Sequence, residues 1–310
     1  MVSTKRNLLI SIIALIIASC GMTFQDEWEI PFKNWLYQLQ NADPSEIASS
    51  GFELAVIDYS RDGSEKGEYS QEEIKIMLDA GVVPVAYLNI GQAEDYRFYW
   101  KNDWYENPPE WLGEEDKMWP GNYFVKYWYP EWKDIIFSYI DRILSQGFKG
   151  VYLDRVDSFE YWSSTGQISK EEAARRMIDL IEDIAEYIRK ENPDILIIPQ
   201  NGENILEFDD GRILSFVSGW SVENLFYLKT TPLPDEETES RIHYLDMLRW
   251  HGKFVLSVDY VDDGSDSLEN LERILDYYKK CEEKVYIPYA AKSDLQLDEV
   301  NIIEGIQPAE

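Results

Sequence analysis

From Trp35 onward, short apolar runs alternate with longer stretches in which apolar residues recur every three or four positions. The first pattern reads as buried strand and the second as amphipathic helix. Eight runs carry the strand signature: 35–40, 53–59, 82–90, 150–156, 195–201, 219–226, 253–260 and 285–290. They are rich in Val, Ile, Leu and Tyr, as strands buried on both faces should be. Helix punctuation falls between them. Asp43-Pro44-Ser45-Glu46 supplies a cap, a first-turn proline and an acid. Ser70-Gln71-Glu72-Glu73 is a capping box, and Gly81 closes that helix. The clearest helix runs from Ser169 to Lys190, with Met177, Leu180, Ile181, Ile184 and Ile188 on one face and Pro193 beyond its end. Residues 131–146 and 267–280 carry a similar period.

Strand–helix alternation predicts parallel pairing through right-handed crossovers. Eight such units in 310 residues fit an α/β (β/α)₈ TIM barrel, a single domain over residues 35–310. An open doubly wound sheet is the competing architecture, but no glycine-rich phosphate loop follows the first strand. One connection is unusually long. Residues 91–130 separate the third strand from the next helix and hold Trp100, Trp104, Trp111, Trp119 and Trp128 with six tyrosines. A connection of this length predicts a lid or binding wall, with rings for sugar stacking, or else a packed aromatic cluster.

The first 34 residues stand outside the pattern. Lys5 and Arg6 precede an apolar run from Leu8 to Ala18, and Ile17-Ala18-Ser19-Cys20 follows. The run is short for a membrane span, and small residues precede the cysteine. This resembles a bacterial lipoprotein signal over residues 1–19, with lipid attached at Cys20 and a tether over 20–34. The chain is therefore expected outside the cytoplasm, held to the cell envelope by that anchor alone. An uncleaved N-terminal anchor is the alternative.

Charge narrows the partners. There are 59 acidic and 29 basic residues, for a net charge of −30. Such a field repels nucleic acid and anionic headgroups and attracts a cationic ligand, although solubility alone would also account for it. Beyond Cys20 only Cys281 remains, and the only histidines are His243 and His251. One thiol forms no internal disulfide, and no Cys/His cluster suits zinc. Neither a metal nor a cofactor is expected.

The chemistry sits where the strands end. The second, fourth, sixth and seventh runs close on Asp58, Asp154, Glu223 and Asp259. In a barrel those ends converge on one mouth. Several carboxylates in one pocket suit glycoside hydrolysis: one stays protonated to help the leaving oxygen depart, and another is ionised as nucleophile or base. Crowding of like charges separates their pKa values. About half of such a set is expected to support rather than react, capping helices or pairing with Arg97, Arg155 or Lys292. Alternation puts Asp154 and Arg155 on opposite faces, and puts Glu223 on the face of Ser221. Asp157 falls on the other face or in the loop, as support. The working assignment makes Asp154 nucleophile or base and Glu223 general acid.

Several segments together resemble one family. They are Tyr37-Gln38-Leu39-Gln40, Ile57-Asp58-Tyr59, the run from Ala86 to Arg97, Gly150-Val151-Tyr152-Leu153-Asp154-Arg155-Val156-Asp157, Gln200-Asn201-Gly202 and Ser221-Val222-Glu223-Asn224. The chain is similar to the endo-α-1,4-polygalactosaminidases, most of all to their bacterial and archaeal glycosidase relatives, from about Trp35 to Ala290. The resemblance implies a TIM barrel that cleaves galactosamine-containing α-1,4-linked polysaccharide, a substrate that can be cationic. It implies Asp154 and Glu223 as the catalytic pair. Tyr37, Asp58, Asn89, Asp157, Gln200, Asn201, Asp259 and Tyr289 match pocket positions. The rival reading is a carbohydrate-binding lipoprotein on the same scaffold without turnover. An esterase or deacetylase is disfavoured, since no Gly-x-Ser-x-Gly elbow is present.

Overall fold

The computed structural model describes residues 31–308. The signal segment, Cys20 and most of the tether lie outside them. Chain order begins with β1 (Trp35–Gln38), α1 (Pro44–Ser49), β2 (Leu54–Ile57), α2 (Gln71–Asp79) and β3 (Val83–Asn89). The long connection comes next, with β4 (Gln92–Glu94), β5 (Leu112–Glu115) and β6 (Asn122–Val125). Then come α3 (Pro130–Gln146), β7 (Gly150–Asp154), α4 (Ser158–Ser164), α5 (Lys170–Arg189), β8 (Leu196–Pro199) and β9 (Gly219–Glu223). A small hairpin, β10 (Tyr227–Leu228) and β11 (Thr231–Pro232), precedes α6 (Asp235–Trp250), β12 (Phe254–Asp262), α7 (Leu268–Lys284) and β13 (Ile287–Lys292).

Eight of these strands are parallel and run in barrel order, β1-β2-β3-β7-β8-β9-β12-β13. Strand register sets which side chains share a level at the mouth. Asn89 lies opposite Asp154, and Val258 lies opposite both Glu223 and Tyr289. The join between β8 and β9 is a single parallel bridge, Gln200 to Ser221. Between β13 and β1 the Trp35 indole donates to the Ile287 carbonyl at 2.9 Å. The doubly wound alternative is thereby set aside. All eight barrel strands fall inside the runs read from the sequence, apart from the last two residues of β12 and of β13.

The caps explain why the helices start where they do. Asp43 accepts the amide of Ser45 at 2.8 Å, and Ser70 and Glu73 form the reciprocal capping box. On α5 the apolar stripe Met177, Ile181, Ile184 and Ile188 is fully buried. Inside the barrel, Trp35 packs on Tyr37 at 5.9 Å and on Tyr289 at 5.8 Å, while Tyr37 meets Tyr152 at 5.3 Å. This aromatic plug forms the floor beneath the strand ends.

The 91–130 connection is not bare loop. Its strands form an antiparallel sheet in the order β4-β6-β5. Most of its tryptophans pack: Trp100 on Trp104 at 5.2 Å, Trp104 on Trp111 at 5.1 Å, Trp128 on Trp162 at 5.5 Å. Trp119, at the tip between β5 and β6, is 51% exposed. After β13 the chain turns back across the mouth, and Leu297 accepts the amides of Leu39 and Gln40.

Candidate active site

A cavity of about 650 Å³ opens at the C-terminal ends of the barrel strands. Tyr37 of β1, Tyr87 of β3, Asp154 of β7, Glu223 of β9 and Tyr260 of β12 line it, with Asp58, Asp157, Gln200 and Asn201 from the turns that follow β2, β7 and β8. Arg97, Glu94, Trp119 and the C-terminal segment Leu295 to Leu297 complete the walls. A second hollow of about 450 Å³ lies between α6 and α7, lined by lysines and acids such as Lys280, Lys284 and Glu239, away from the strand ends.

Strand parity places the two central carboxylates. Tyr152 and Asp154 share one face of β7, as Ser221 and Glu223 share one face of β9, and the Tyr152 hydroxyl donates to Ser221 at 2.7 Å. Both acids sit on the last residue of their strand. The chain then leaves each strand through a left-handed residue, Arg155 at φ 64 and Asn224 at φ 51, and Asn201 beyond β8 is left-handed too at φ 55. Asparagine adopts this region readily, whereas arginine does so at about 1 kcal/mol or more. The Arg155 turn has a direct effect. It brings the Arg155 amide to 2.7 Å from one oxygen of Asp154, and the Tyr87 hydroxyl donates to the other at 2.5 Å.

Glu223 is held differently. Tyr260 donates a short hydrogen bond to one oxygen, and Gln200 donates to the other at 3.2 Å. Asn201 accepts the Glu223 amide at 3.0 Å. Arg241 donates to the Glu223 carbonyl, also at 3.0 Å, so the backbone here is fixed from two sides. Burial pushes the Glu223 carboxyl up to about 7; the Tyr260 hydroxyl opposes that shift and the charge of Asp154 adds to it. Burial raises Asp154 as well, against the pull of Arg155 and Tyr87.

Asp58 is a supporting carboxylate. Two Arg97 nitrogens reach its two oxygens at 2.9 and 2.7 Å, and Arg97 also donates to Glu94 at 2.6 Å. Burial raises Asp58 while the guanidinium draws it back. Asp157 lies in the turn ahead of α4, where burial lifts it to about 6.

Three expected pocket residues lie elsewhere. Asp259 points out of the barrel and accepts the amides of Leu225, Phe226 and Tyr227 at 2.7, 2.8 and 2.8 Å. Ser257 shares its face and meets Tyr277 of α7. The inward position of β12 is therefore Tyr260. Asn89 folds back on its own turn, taking the amides of Gly91 and Gln92. Tyr289 is 1% exposed and belongs to the aromatic plug. Conversely, Tyr87, Glu94, Arg97 and Tyr260 enter the site although the sequence pattern does not single them out as pocket residues. Parity along β3 and β12 is the signal that finds Tyr87 and Tyr260. Nothing in the sequence shows that the β4 segment folds back over the mouth.

Similarity to known proteins agrees with this geometry. The profile of glycoside-hydrolase family GH114 matches residues 22–307. An uncharacterized protein of Thermotoga maritima is 70% identical, covering 99% of this chain and 95% of its own length. One from Methanocaldococcus jannaschii is 56% identical, covering 86% and 78%. Two solved structures share the fold at 16% identity. The glycoside hydrolase domain of PelA from Pseudomonas aeruginosa has a TM-score of 0.64, covering 87% of this chain and 96% of that one. The Aspergillus fumigatus Ega3 complex with galactosamine also scores 0.64, covering 87% and 95%. With a family profile spanning nearly the entire barrel, the chain is a glycoside hydrolase and belongs to family GH114.

Proposed function

We propose that this hydrolase cleaves α-1,4-linked, galactosamine-containing polysaccharide, with Glu223 as general acid and Asp154 as nucleophile or base. The observation that carries the reading is the contrast between two carboxylates in one cavity. Glu223 is lifted to about 7 and so keeps its proton near neutrality, as protonation of a departing glycosidic oxygen requires. Asp154 accepts a hydrogen bond on each oxygen beside the Arg155 charge, and these contacts support the ionised form against the burial that raises its pKa. Tyr87 and the Arg155 amide fix its orientation. The choice of sugar is supported by the family and by the likeness to the galactosamine complex of Ega3. An acidic protein surface suits an amino-sugar polymer. The N-terminal pattern ending at Cys20 supports an enzyme lipid-anchored outside the cytoplasm.

The test is release of reducing ends from partly deacetylated α-1,4-galactosamine polymer by the full chain in mild detergent. Wild type is expected to release them. Asp154→Asn and Glu223→Gln should each lose roughly 10²–10⁴-fold in kcat while still binding the polymer. No release by wild type, or near-normal turnover by either variant, defeats the proposal.

A further inference from the structure

The carboxylates of the cavity differ in what already holds them. Asp58 and Glu94 share Arg97, and Tyr96 donates to Glu94 at 2.6 Å. Asp62 accepts from Ser60 and Ser64. Asp154 is held by Tyr87 and the Arg155 amide, and Glu223 by Tyr260 and Gln200. Asp157 is the exception: among the described residues its side chain accepts no hydrogen bond and enters no ion pair within 4 Å, although it lines the cavity.

Its backbone, by contrast, is firmly placed. The Asp157 carbonyl accepts the Glu160 amide at 2.9 Å in the first turn of α4. From the other side Gly202, at φ 60, presses against it: a Cβ at 202 would lie 2.9 Å from the Asp157 nitrogen and 3.1 Å from its Cα. Only glycine permits that approach. A partly buried carboxylate on a rigid backbone with open lone pairs is a receptor for a cation or a strong donor. Arg155 offsets part of its charge at a distance, but no neighbouring cation among the described residues pairs with it directly. Arg155 directs its guanidinium to Asp116 at 3.3 Å, Glu160 pairs with Lys170, and Glu203 pairs with Arg241. Asp154 contributes a further negative charge.

We propose that Asp157 recognises the free ammonium group of the substrate and sets the preference for a deacetylated amino sugar over its N-acetyl form. The assignment rests on the proposed amino-sugar substrate, and it divides the labour among the acids. Glu223 and Asp154 face the glycosidic bond, Asp58 and Glu94 are neutralised in part by Arg97, and Asp157 supplies the unspent charge. Its elevated pKa makes the preference a property of neutral pH. Below about 6 the carboxyl takes up a proton and the ammonium loses its partner.

The experiment measures binding by calorimetry at pH 7.5 in the Glu223→Gln background, with α-1,4 tetramers of galactosamine and of N-acetylgalactosamine as probes. The expected result is tighter binding of the galactosamine tetramer. Adding Asp157→Asn should weaken that tetramer roughly 10–100-fold, in line with loss of a charge-assisted hydrogen bond, and change the acetylated one less than about twofold. Asp157→Glu, which keeps the charge, should retain part of the preference, and thermal melts confirm that each variant is folded. Equal weakening of both tetramers, no weakening, no preference to begin with, or no binding of either one overturns the assignment. Because the ratio is read from binding, it stands apart from reducing-end release, which alone decides the proposed cleavage of the polymer.

Discussion

The Tyr260 hydroxyl donates to Glu223 and thereby favours the ionised carboxylate. Its removal has a definite sign. Without that hydrogen bond, burial and the Asp154 charge act unopposed by Tyr260, and the Glu223 pKa rises further above 7. An enzyme that needs Glu223 protonated loses activity as pH climbs through that pKa. In Tyr260→Phe the alkaline limb of kcat/KM is therefore expected to move to higher pH, by roughly one unit for each 1.4 kcal/mol the bond supplies. A pH–rate profile of both proteins checks this; an unmoved or lowered limb contradicts Glu223 as the titrating acid. The same two residues show how far single positions are legible. The polar strand end Val258-Asp259-Tyr260 is obvious in the sequence, but polarity draws attention to Asp259 while strand parity sends Tyr260 inward. Asp154 and Glu223 escape that ambiguity. Each ends its strand two residues beyond an inward neighbour, Tyr152 and Ser221, that hydrogen-bond to each other.

At the scale of elements, the barrel strands are readable because each is a compact apolar run, and burial on both faces requires that pattern. The insertion is not. Its strands are three or four residues long, and sequences such as Leu112-Gly113-Glu114-Glu115 show no sustained alternation. What binds that sheet together is aromatic packing between residues far apart in the chain, which a local pattern does not encode. The packing also sorts its tryptophans. Trp100 and Trp111 each pack edge to face with Trp104, so truncating any of the three should cost stability. Trp119 is half-exposed at the mouth and lines the cavity. Trp119→Ala is expected to raise KM for the polymer by roughly 2–10-fold, the worth of a ring stacked on a sugar face. Its melting temperature should be nearly unchanged, since little buried surface is lost. A lowered melting point with normal KM would place Trp119 in the packing instead of the cleft.

For the whole molecule, the barrel order of eight parallel strands has one consequence that no segment has alone: it gathers carboxylates from the C-terminal ends of β2, β7 and β9 at one mouth. That mouth belongs to a chain of net charge −30. Two origins of this charge lead to different behaviour. If it serves solubility only, catalysis should be indifferent to ionic strength. If it concentrates a polycationic substrate, encounter is electrostatically steered and weakens as the Debye length shrinks to about 8 Å at physiological salt. Raising salt from about 0.02 to 0.3 M should then lower kcat/KM on a deacetylated galactosamine polymer by roughly tenfold or more. A neutral, N-acetylated oligosaccharide serves as the control and should change less than about twofold. The comparison also separates long-range steering from local recognition. In Asp157→Asn the field of the molecule is almost intact, so the salt slope on the polymer should persist even as affinity falls. A slope that vanished with this one charge would mean that the acidic surface contributes nothing at a distance and that the whole salt effect comes from a single contact.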